Sequence, residues 1–596
     1  MKADATDLQS LLDGKVQYAV PPYQRPYVWN EDDQWEPLWQ DLIGAAARLE
    51  DESTANDPSS HFIGAIVLQS ESNKIVTTNR HWIIDGQQRL TTISLVIKAA
   101  QLVSLKYGLE DLAAEYFDLL FNKRTESAEL NIKVRPTRLD EPAFRAVMDQ
   151  GSGALQLIEN ERISQAFLFF QQSIADWLKE GEVDSIQPVT RLNLLHKVVS
   201  RCISVVLIQL DGREDPQIIF ETLNDRGAPL LAADLVKNYL LRKAEMEGED
   251  AQKIYEKDWR PLEDDYWRKG VTVGRLEVPR IDLFMTRYLA MKIQSDVVSS
   301  QLFKTYRSFL DTAGIKPSEA VKDLAAYAAT YRRLLAWVDE PKPIKGHQSS
   351  QRLVKSVWDF EANPLYSALL WLFGPEIAIG DDVRERCARI LDSWVVRRAA
   401  SGLTTKNINK TALLILEQFK KSGDQAEILK KFIIGKEGVA TVEDPTDKAL
   451  LKYLATAPAY KSLGQRRVAA LLRAVESCLN KNDPDWVPAG PLTVEHVMPS
   501  SWRDHWPLKS DDESALALRR GSIHNLGNLV LLTKRLNSSI GNSKWATKRA
   551  AVKKLTVLLH VREVIESEEW NEALIVSRAE RLAAKIIERW PSVGSL

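Results

Sequence analysis

The sequence predicts an α/β region at the N-terminal end, a mainly helical middle region and a C-terminal region that mixes a short strand, loops and helices. Three observations predict this division. Short β-branched apolar runs at 62–68 and 202–208 are typical of buried strands. Strand signals fade from about 246 to 450, where helical periodicity dominates. Pro and Gly then punctuate 488–491, and further glycines follow in a loop-rich stretch.

These patterns divide the chain into three predicted domains, at 1–245, 246–450 and 451–596. In the first domain, helical periodicity between the two strands predicts an α/β fold with long helical insertions. The second domain is predicted to be a helical spacer with breaks near 340–346 and 438–445. The third is predicted to contain a short strand at 493–494 and a helix from about Lys544. The other predicted helices lie at 91–119, 163–178, 281–291, 320–337, 383–399 and 411–419.

The composition is that of an ordinary folded protein. The chain has 596 residues, 44% hydrophobic and 27% charged, with 79 Lys and Arg against 81 Asp and Glu. These values exclude wholesale disorder and a disulfide-rich miniprotein. Three widely separated cysteines without a CxxC pair argue against a Cys-based zinc site. No apolar run approaches the roughly 20 residues of a spanning helix, and the N-terminus lacks a secretory apolar run. We therefore expect a cytoplasmic protein without a membrane partner.

Positive charge is concentrated near the C-terminal end. Between Ala515 and Leu555 there are nine basic residues and no Asp or Glu, although the net charge of the chain is −2. Such a window is either a solvated helix face or a phosphate-binding surface, and the complete absence of acids favours phosphate. The candidate DNA phosphate contacts are Lys534, Arg535, Lys544, Lys548 and Arg549.

Three C-terminal segments carry residues that can hydrolyse a phosphodiester. Glu495 and His496 follow a short predicted strand, Asn528 lies in a Gly-containing stretch, and Asn537 follows. Hydrolysis requires a neutral base for the attacking water and oxygen ligands for a divalent cation. One His with two oxygen ligands meets this requirement. Because adjacent strand residues point to opposite faces, Glu495 and His496 can share one site only where the chain turns.

Two further histidines lie in the same window. His524 is a candidate for an additional phosphate or metal contact, whereas His505, between Asp504 and Trp506, is predicted to be structural. Lys544 is a candidate for contact with the scissile phosphate, since a Lys can act there as a point charge.

The C-terminal segments resemble an HNH (ββα-metal) nuclease. Glu-His-x-x-Pro, then Asn-Leu-Gly-Asn-Leu-Val-Leu-Leu, then a further Asn and Lys, are similar to the C-terminal domain of GmrSD-type restriction enzymes. The resemblance implies that His496 is the general base and that Asn528 braces the loop and orients it. It also implies that Glu495 and Asn537 hold Mg²⁺ or Mn²⁺, with Asn542 as an alternative to Asn537. The first acid is Glu where the commonest HNH pattern has Asp, which can alter the metal geometry.

Two N-terminal segments surround a predicted strand-to-helix turn. One is Pro-Pro-Tyr-Gln-Arg-Pro-Tyr-Val-Trp at 21–29, and the other runs from a strand through Asp85-Gly86 into a helix. Gly86 permits a tight turn, and the amides that open the helix are a natural place for a phosphate. Arg25 and Arg89 can neutralise it, and Asp85 can hold a cation or a ribose hydroxyl. Because no Walker A sequence is present and Gly turns are common, the residues alone leave a nucleotide site open.

The same two segments are similar to the N-terminal domain of GmrSD-type enzymes, which resembles ParB and sulfiredoxin folds and has NTPase activity. Stretches at 220–238 and 397–407 also resemble the family. The resemblance implies that an NTP, whether GTP, UTP, CTP or ATP, is bound and hydrolysed, and that a DNA modification is sensed in or near the same pocket. The implied NTP residues are Asp85, Gly86, Gln87, Gln88, Arg89 and Arg25, and the implied sensing residues are Tyr23, Gln24 and Arg25.

The complete resemblance implies an NTP-regulated, modification-dependent DNA endonuclease of the type IV restriction class. Related enzymes cut DNA that carries glucosylated hydroxymethylcytosine or a phosphorothioate backbone, so the implied substrate is double-stranded phage DNA. One HNH site cuts one strand, and a double-strand break therefore requires a homodimer or two visits. Two alternatives are a nucleotide-gated DNA-binding protein of the ParB type with an inactive nuclease domain, and an RNA-cutting abortive-infection nuclease.

Overall fold

The described part of the chain forms two compact units. One comprises Met1–Arg260 with Lys316–Ser318, and the other comprises Pro261–Ile315 with Glu319–Leu596. The predicted helical middle and the C-terminal region thus belong largely to the same unit. The computed structural model describes residues 2–21, 24, 26–50, 61–70, 78–123, 125, 131–150, 157–158, 161–179, 187–210, 231–273, 276–340, 344–375, 377, 379–403, 407–480, 492–508, 512–533, 543–555 and 558–596.

The first unit is built on a six-stranded mixed sheet with the strand order β1-β6-β3-β4-β2-β5. The strands predicted at 62–68 and 202–208 are β3 and β6, which lie side by side and run parallel. β1 pairs with β6 and β3 pairs with β4 in antiparallel fashion, whereas β2 runs parallel to both β4 and β5. The strands are β1 Lys2–Asp7, β2 Val16–Ala19, β3 His61–Ser70, β4 Asn79–Asp85, β5 Val134–Arg135 and β6 Ile203–Leu210.

Helices pack on this sheet and complete its core. The helix predicted over 91–119 is two helices, α3 and α4, because Gly108 with φ of 72° ends the first. Ile93 and Val96 of α3 belong to the same apolar core as Ile66 and Ile83 of the sheet, so α3 holds the strand-to-helix turn before it in place. The helices are α1 Leu8–Leu11, α2 Glu36–Glu50, α3 Gln87–Lys106, α4 Glu110–Leu120, α5 Glu141–Met148, α6 Arg162–Trp177, α7 Gln187–Lys197, α8 Ala232–Met246 and α9 Ala251–Ile254.

The second unit begins with a helical region, as predicted. The predicted helices at 281–291, 320–337, 383–399 and 411–419 are all present, and turns occupy the predicted break at 438–445. A short hairpin, β7 (Gly270–Val273) with β8 (Leu276–Pro279), was not predicted, because four-residue strands carry too little periodicity. The helices are α10 Asp265–Arg268, α11 Arg280–Ile293, α12 Leu302–Ala313, α13 Pro317–Asp339, α14 Gln348–Asp359, α15 Tyr366–Leu372, α16 Asp381–Ala400, α17 Ile408–Phe419 and α18 Gln425–Ile434.

The C-terminal part of this unit combines an antiparallel strand pair with helices. Strand β9 (Leu492–His496) pairs with β10 (Leu529–Thr533). Arg397 of α16 is fully buried, and its Nε lies 3.1 Å from Oδ1 of Asp444. Its guanidinium also donates to the carbonyl of Trp590. This bond connects the end of the chain to the helical region. The helices are α19 Asp447–Thr456, α20 Ala459–Leu479, α21 Glu513–Ile523, α22 Trp545–Leu555, α23 Leu559–Glu566 and α24 Glu572–Arg589.

Within the described ranges, no helix has both the length and the apolar character needed to cross a bilayer.

Candidate functional site

The acid–His pair occupies the last two positions of β9. Glu495 lies opposite Val530 and His496 lies opposite Leu529 in the antiparallel register. The strand ends at His496, and the amide of Val497 then donates to the carbonyl of Asn528 at 2.9 Å. The chain bends at residues 497 and 498, directly after the pair, and the bond to Asn528 brings the second motif next to the first.

Asn528 holds the loop that follows His496. Its side chain is fully buried, and its Oδ1 accepts from the amide of Met498 at 2.8 Å and from Nε1 of Trp570 at 3.1 Å. Its Nδ2 donates to the carbonyls of Met498 and Ile523, both at 2.8 Å. All the hydrogen-bonding capacity of this amide is therefore used on the loop and its surroundings. This geometry suits the bracing function that the resemblance implied.

Gly527 lets the same turn lie directly on helix α24. A Cβ atom at this position would lie 1.8 Å from the carbonyl oxygen of Ile575 and 2.9 Å from the amide of Ala579. The fully buried Arg578, also on α24, donates to the carbonyls of Gly527 at 2.6 Å and Leu529 at 2.9 Å. The Asn-Leu-Gly-Asn sequence is thus explained by a close backbone approach at Gly and an amide brace at Asn.

The imidazole of His496 packs in a group of three rings. Its Nε2 lies 3.1 Å from Nδ1 of His524. The ring of Tyr460, from α20, is 4.6 Å from that of His496 and stacks on that of His524. Burial is the main cause that lowers the pKa of His496 to about 4, and the positive charges of Lys548 and of His524, when protonated, contribute smaller parts of the same shift. His496 is therefore neutral at physiological pH, as a general base must be.

The carboxylate of Glu495 lies against a buried cation. Nζ of Lys548, from α22, is 3.3 Å from Oε1 of Glu495 and donates to the carbonyl of His496 at 2.8 Å. Lys548 is only 2% exposed, and burial lowers its pKa, whereas Glu495 acts to raise it. The carboxylate thus already balances positive charge inside the domain, and its hard oxygen donors suit Mg²⁺ or Mn²⁺.

The predicted set of metal ligands comprises Glu495 and one asparagine. Asn537 and Asn542 lie outside the described residues, so the second ligand stays a prediction. Among the residues that the structure describes, no three His, Cys, Asp or Glu side chains are grouped to hold a metal.

The basic window is less exposed than its charge suggests. We expected Lys548 and Arg549 to contact DNA phosphates, but both cations are engaged within the protein. Lys548 is bound to Glu495, and Nε of Arg549 donates to the carbonyl of Ile565 at 2.7 Å. Lys544 is exposed and stays a candidate, whereas Lys534 and Arg535 lie outside the described residues.

In the first unit, the two N-terminal motifs lie together. Nε2 of Gln24 donates to the carbonyls of Ile83 and Ile84, at 2.7 and 3.0 Å. Gln88 binds the first segment in return, since its Oε1 accepts from the amide of Val28 at 2.9 Å. The glutamines of both motifs therefore join the loop before Trp29 to the strand and helix of the second motif.

The turn between β4 and α3 has the predicted glycine geometry. Gly86 has φ of 96°, and a Cβ there would meet the side chain of Ile66 at 3.0 Å. Arg89, on the first turn of α3, donates to the carbonyl of Ala65 at 2.9 Å and lies 3.7 Å from Asp85. Gln87 is buried next to this turn. Tyr23, Arg25 and the stretch 211–230 lie outside the described residues, so their predicted contributions stay untested.

Some residues around His496 carried no clear signal in the sequence. Tyr460, Trp570 and Arg578 lie far along the chain from His496, and no local pattern links them to it. The presence of His524 in the same window as His496 was the one usable clue, but it pointed to a phosphate or metal contact. Only the fold shows that these side chains meet.

Comparison with known families defines the class of protein. Residues 8–241 match the model of the GmrSD restriction endonuclease N-terminal domain, and residues 444–585 match that of the C-terminal domain. The two matches cover more than half of the chain and identify it as a restriction endonuclease. More particularly, the chain belongs to the GmrSD family and is a type IV restriction enzyme. A comparison with curated proteins finds no match.

Replacement of Gly527 tests the close approach to α24. We expect Gly527→Ala to destabilise the second unit by about 3 kcal/mol, because the new methyl group must displace helix backbone. The matched control is Gly521→Ala, where no atom lies within 4 Å of the new Cβ. Thermal unfolding of the full chain should show a lower midpoint for the first variant alone. Equal midpoints for the two variants would contradict the geometry.

Proposed function

We propose that this GmrSD-family enzyme cleaves DNA through a single-metal HNH site at the end of β9. The observation that carries the proposal is the position of His496 directly beside Glu495 at the end of β9, with Asn528 fixing the loop that follows. The lowered pKa of His496 supports it, because it keeps the imidazole neutral. All three residues lie within the range matched by the GmrSD C-terminal domain. The family match supports a restriction nuclease, and the site geometry supports His496 as its base.

In the proposed mechanism, His496 accepts a proton and Asn528 holds the loop that follows it. Neutral His496 accepts a proton from a water molecule as the water oxygen attacks the phosphorus. The bond between phosphorus and the 3′-oxygen breaks, the 3′-oxygen takes a proton from solvent, and the product has a 5′-phosphate end. Glu495 and Asn537, or Asn542, would hold Mg²⁺ or Mn²⁺, which when bound stabilises charge on the phosphate and on the departing oxygen. Asn528 keeps the loop after His496 in place throughout.

The proposed activity also includes nucleotide binding in the first unit. The turn at Asp85 and Gly86 opens helix α3, and Gly86 has no side chain to cap the first amides of the helix, which are of the type that bind phosphate. Asp85 and Arg89 are partly exposed beside it. We infer that an NTP is bound and hydrolysed here and regulates cleavage of modified phage DNA, and that a homodimer makes the double-strand break.

A cleavage assay tests the nuclease. Full-length enzyme with Mg²⁺ should cut duplex DNA in a survey of unmodified, glucosylated and phosphorothioated substrates, with and without NTPs, and EDTA should abolish cutting. His496→Ala should reduce the rate by about a hundredfold or more because the base is lost. The exposed His505 provides the control, and His505→Ala should cut normally. Undiminished cutting by His496→Ala would refute the assignment, and cleavage of single-stranded RNA alone would redirect it.

The pH dependence of cleavage tests the state of His496. Because the pKa of His496 is lowered to about 4, the neutral base persists as the pH falls through 6.5, where an ordinary His would become protonated. We expect kcat/KM to stay level from pH 8 to about pH 5 and to fall only below that. Single-turnover rates in Mg²⁺, with circular dichroism to verify folding, would measure this. A tenfold loss per pH unit beginning near 6.5 would contradict it.

The nucleotide site is tested through Arg89. Arg89→Ala should abolish NTP hydrolysis, because the variant lacks the cation next to the phosphate-binding turn. Arg80 stacks on Trp82 in the preceding strand, outside the turn, so Arg80→Ala is the control and should hydrolyse NTP at the normal rate. Phosphate release measured on both variants decides this. Normal turnover by Arg89→Ala would remove the proposed phosphate contact.

A further inference from the structure

His524 is fixed in position directly against His496. It follows the last residue of α21, and its carbonyl accepts from the amide of Tyr460 at 3.0 Å. The Tyr460 ring stacks on its imidazole with an interplanar angle of 21°. Its Nδ1 then lies 3.1 Å from Nε2 of His496. In the part of the chain that the structure describes, neither imidazole makes a second side-chain hydrogen bond.

A hydrogen bond between two neutral imidazoles contains one proton, and its position decides the chemistry. If His524 donates from Nδ1, then His496 carries its own proton on Nδ1 and has no free lone pair there. If His496 donates from Nε2, its Nδ1 keeps a lone pair that can accept a proton from water. Only the second arrangement allows His496 to act as a base.

We propose that His524 is a positioning residue that holds His496 in the Nε2-protonated tautomer. Its Nδ1 accepts the hydrogen bond, which fixes both the proton and the plane of the His496 ring. When Nδ1 of His496 takes the proton of the attacking water, the same bond becomes charge-assisted and stabilises the imidazolium. This inference rests on the proposed function of His496. It gives Nδ1 of His524 a different partner from the phosphate or metal that the sequence suggested.

Two substitutions of nearly equal size separate hydrogen bonding from packing. In His524→Asn the amide Oδ1 can take the place of Nδ1 as acceptor, whereas His524→Leu fills the same space without one. We expect His524→Leu to lower kcat by about tenfold to a hundredfold with KM for DNA changed less than about twofold, because orientation and not binding is lost. His524→Asn should keep kcat within about threefold of the wild type.

The tautomer can also be observed without cleavage. Nitrogen-15 spectra of the full-length protein labelled at histidine, recorded without metal at neutral pH, distinguish Nε2–H from Nδ1–H. The spectrum of His496→Ala assigns the signal. We expect Nε2–H for His496 in the wild type and in His524→Asn, and a mixture of tautomers in His524→Leu.

The outcomes separate this inference from the proposed nuclease function. Wild-type kcat in His524→Leu, equal losses in the Leu and Asn variants, or an Nδ1–H signal for His496 in the wild type would each overturn the positioning by His524. Undiminished cutting by His496→Ala would instead overturn the proposed base itself, whatever the tautomer. If His524→Leu does not fold, the wild-type spectrum and the Asn variant still decide the matter.

Discussion

The candidate nuclease site depends on one close backbone approach, that of the turn at Leu526–Asn528 to helix α24. Gly527 lies so near the carbonyl of Ile575 that no side chain fits between them, and buried Arg578 binds the carbonyls on either side of Asn528. With the turn fixed, the amide of Asn528 reaches the loop that follows β9. These contacts therefore fix the end of β9, with Glu495 and His496, relative to α24.

Burial then sets the protonation of the groups at that position. Removing a charge from water is unfavourable, so an imidazole in this environment stays neutral and a buried ammonium requires a carboxylate partner. His496 and His524 meet as neutral rings, with the pKa of each lowered mainly by burial. Lys548 and Glu495 meet as an ion pair on the neighbouring side of the strand end. The site thus keeps a neutral imidazole and a carboxylate side by side, each with its own partner.

In the N-terminal motifs, some residues hold the backbone together and others stay partly exposed. Gln24 and Gln88 use their side-chain amides on backbone groups of the opposite motif, which holds the two segments together. Gly86 allows the tight passage from strand to helix, and Asp85 and Arg89 stay partly exposed at that passage. Several residues of these motifs therefore stabilise the turn on which the proposed nucleotide chemistry depends. The residues of these motifs therefore stabilise the fold as well as supplying candidate contacts with a nucleotide.

Local patterns in the sequence were enough for the strands β3 and β6, the main helices and the residue types at both motifs, because periodicity and turn chemistry act over a few neighbouring residues. The resemblance to the GmrSD family, which the family models confirm, was likewise contained in short motifs. The inward orientation of Lys548 and the contact of Tyr460 and His524 with His496 were not predictable. They join residues tens of positions apart, and only the packing of helices around the β9–β10 pair brings such side chains within bonding distance.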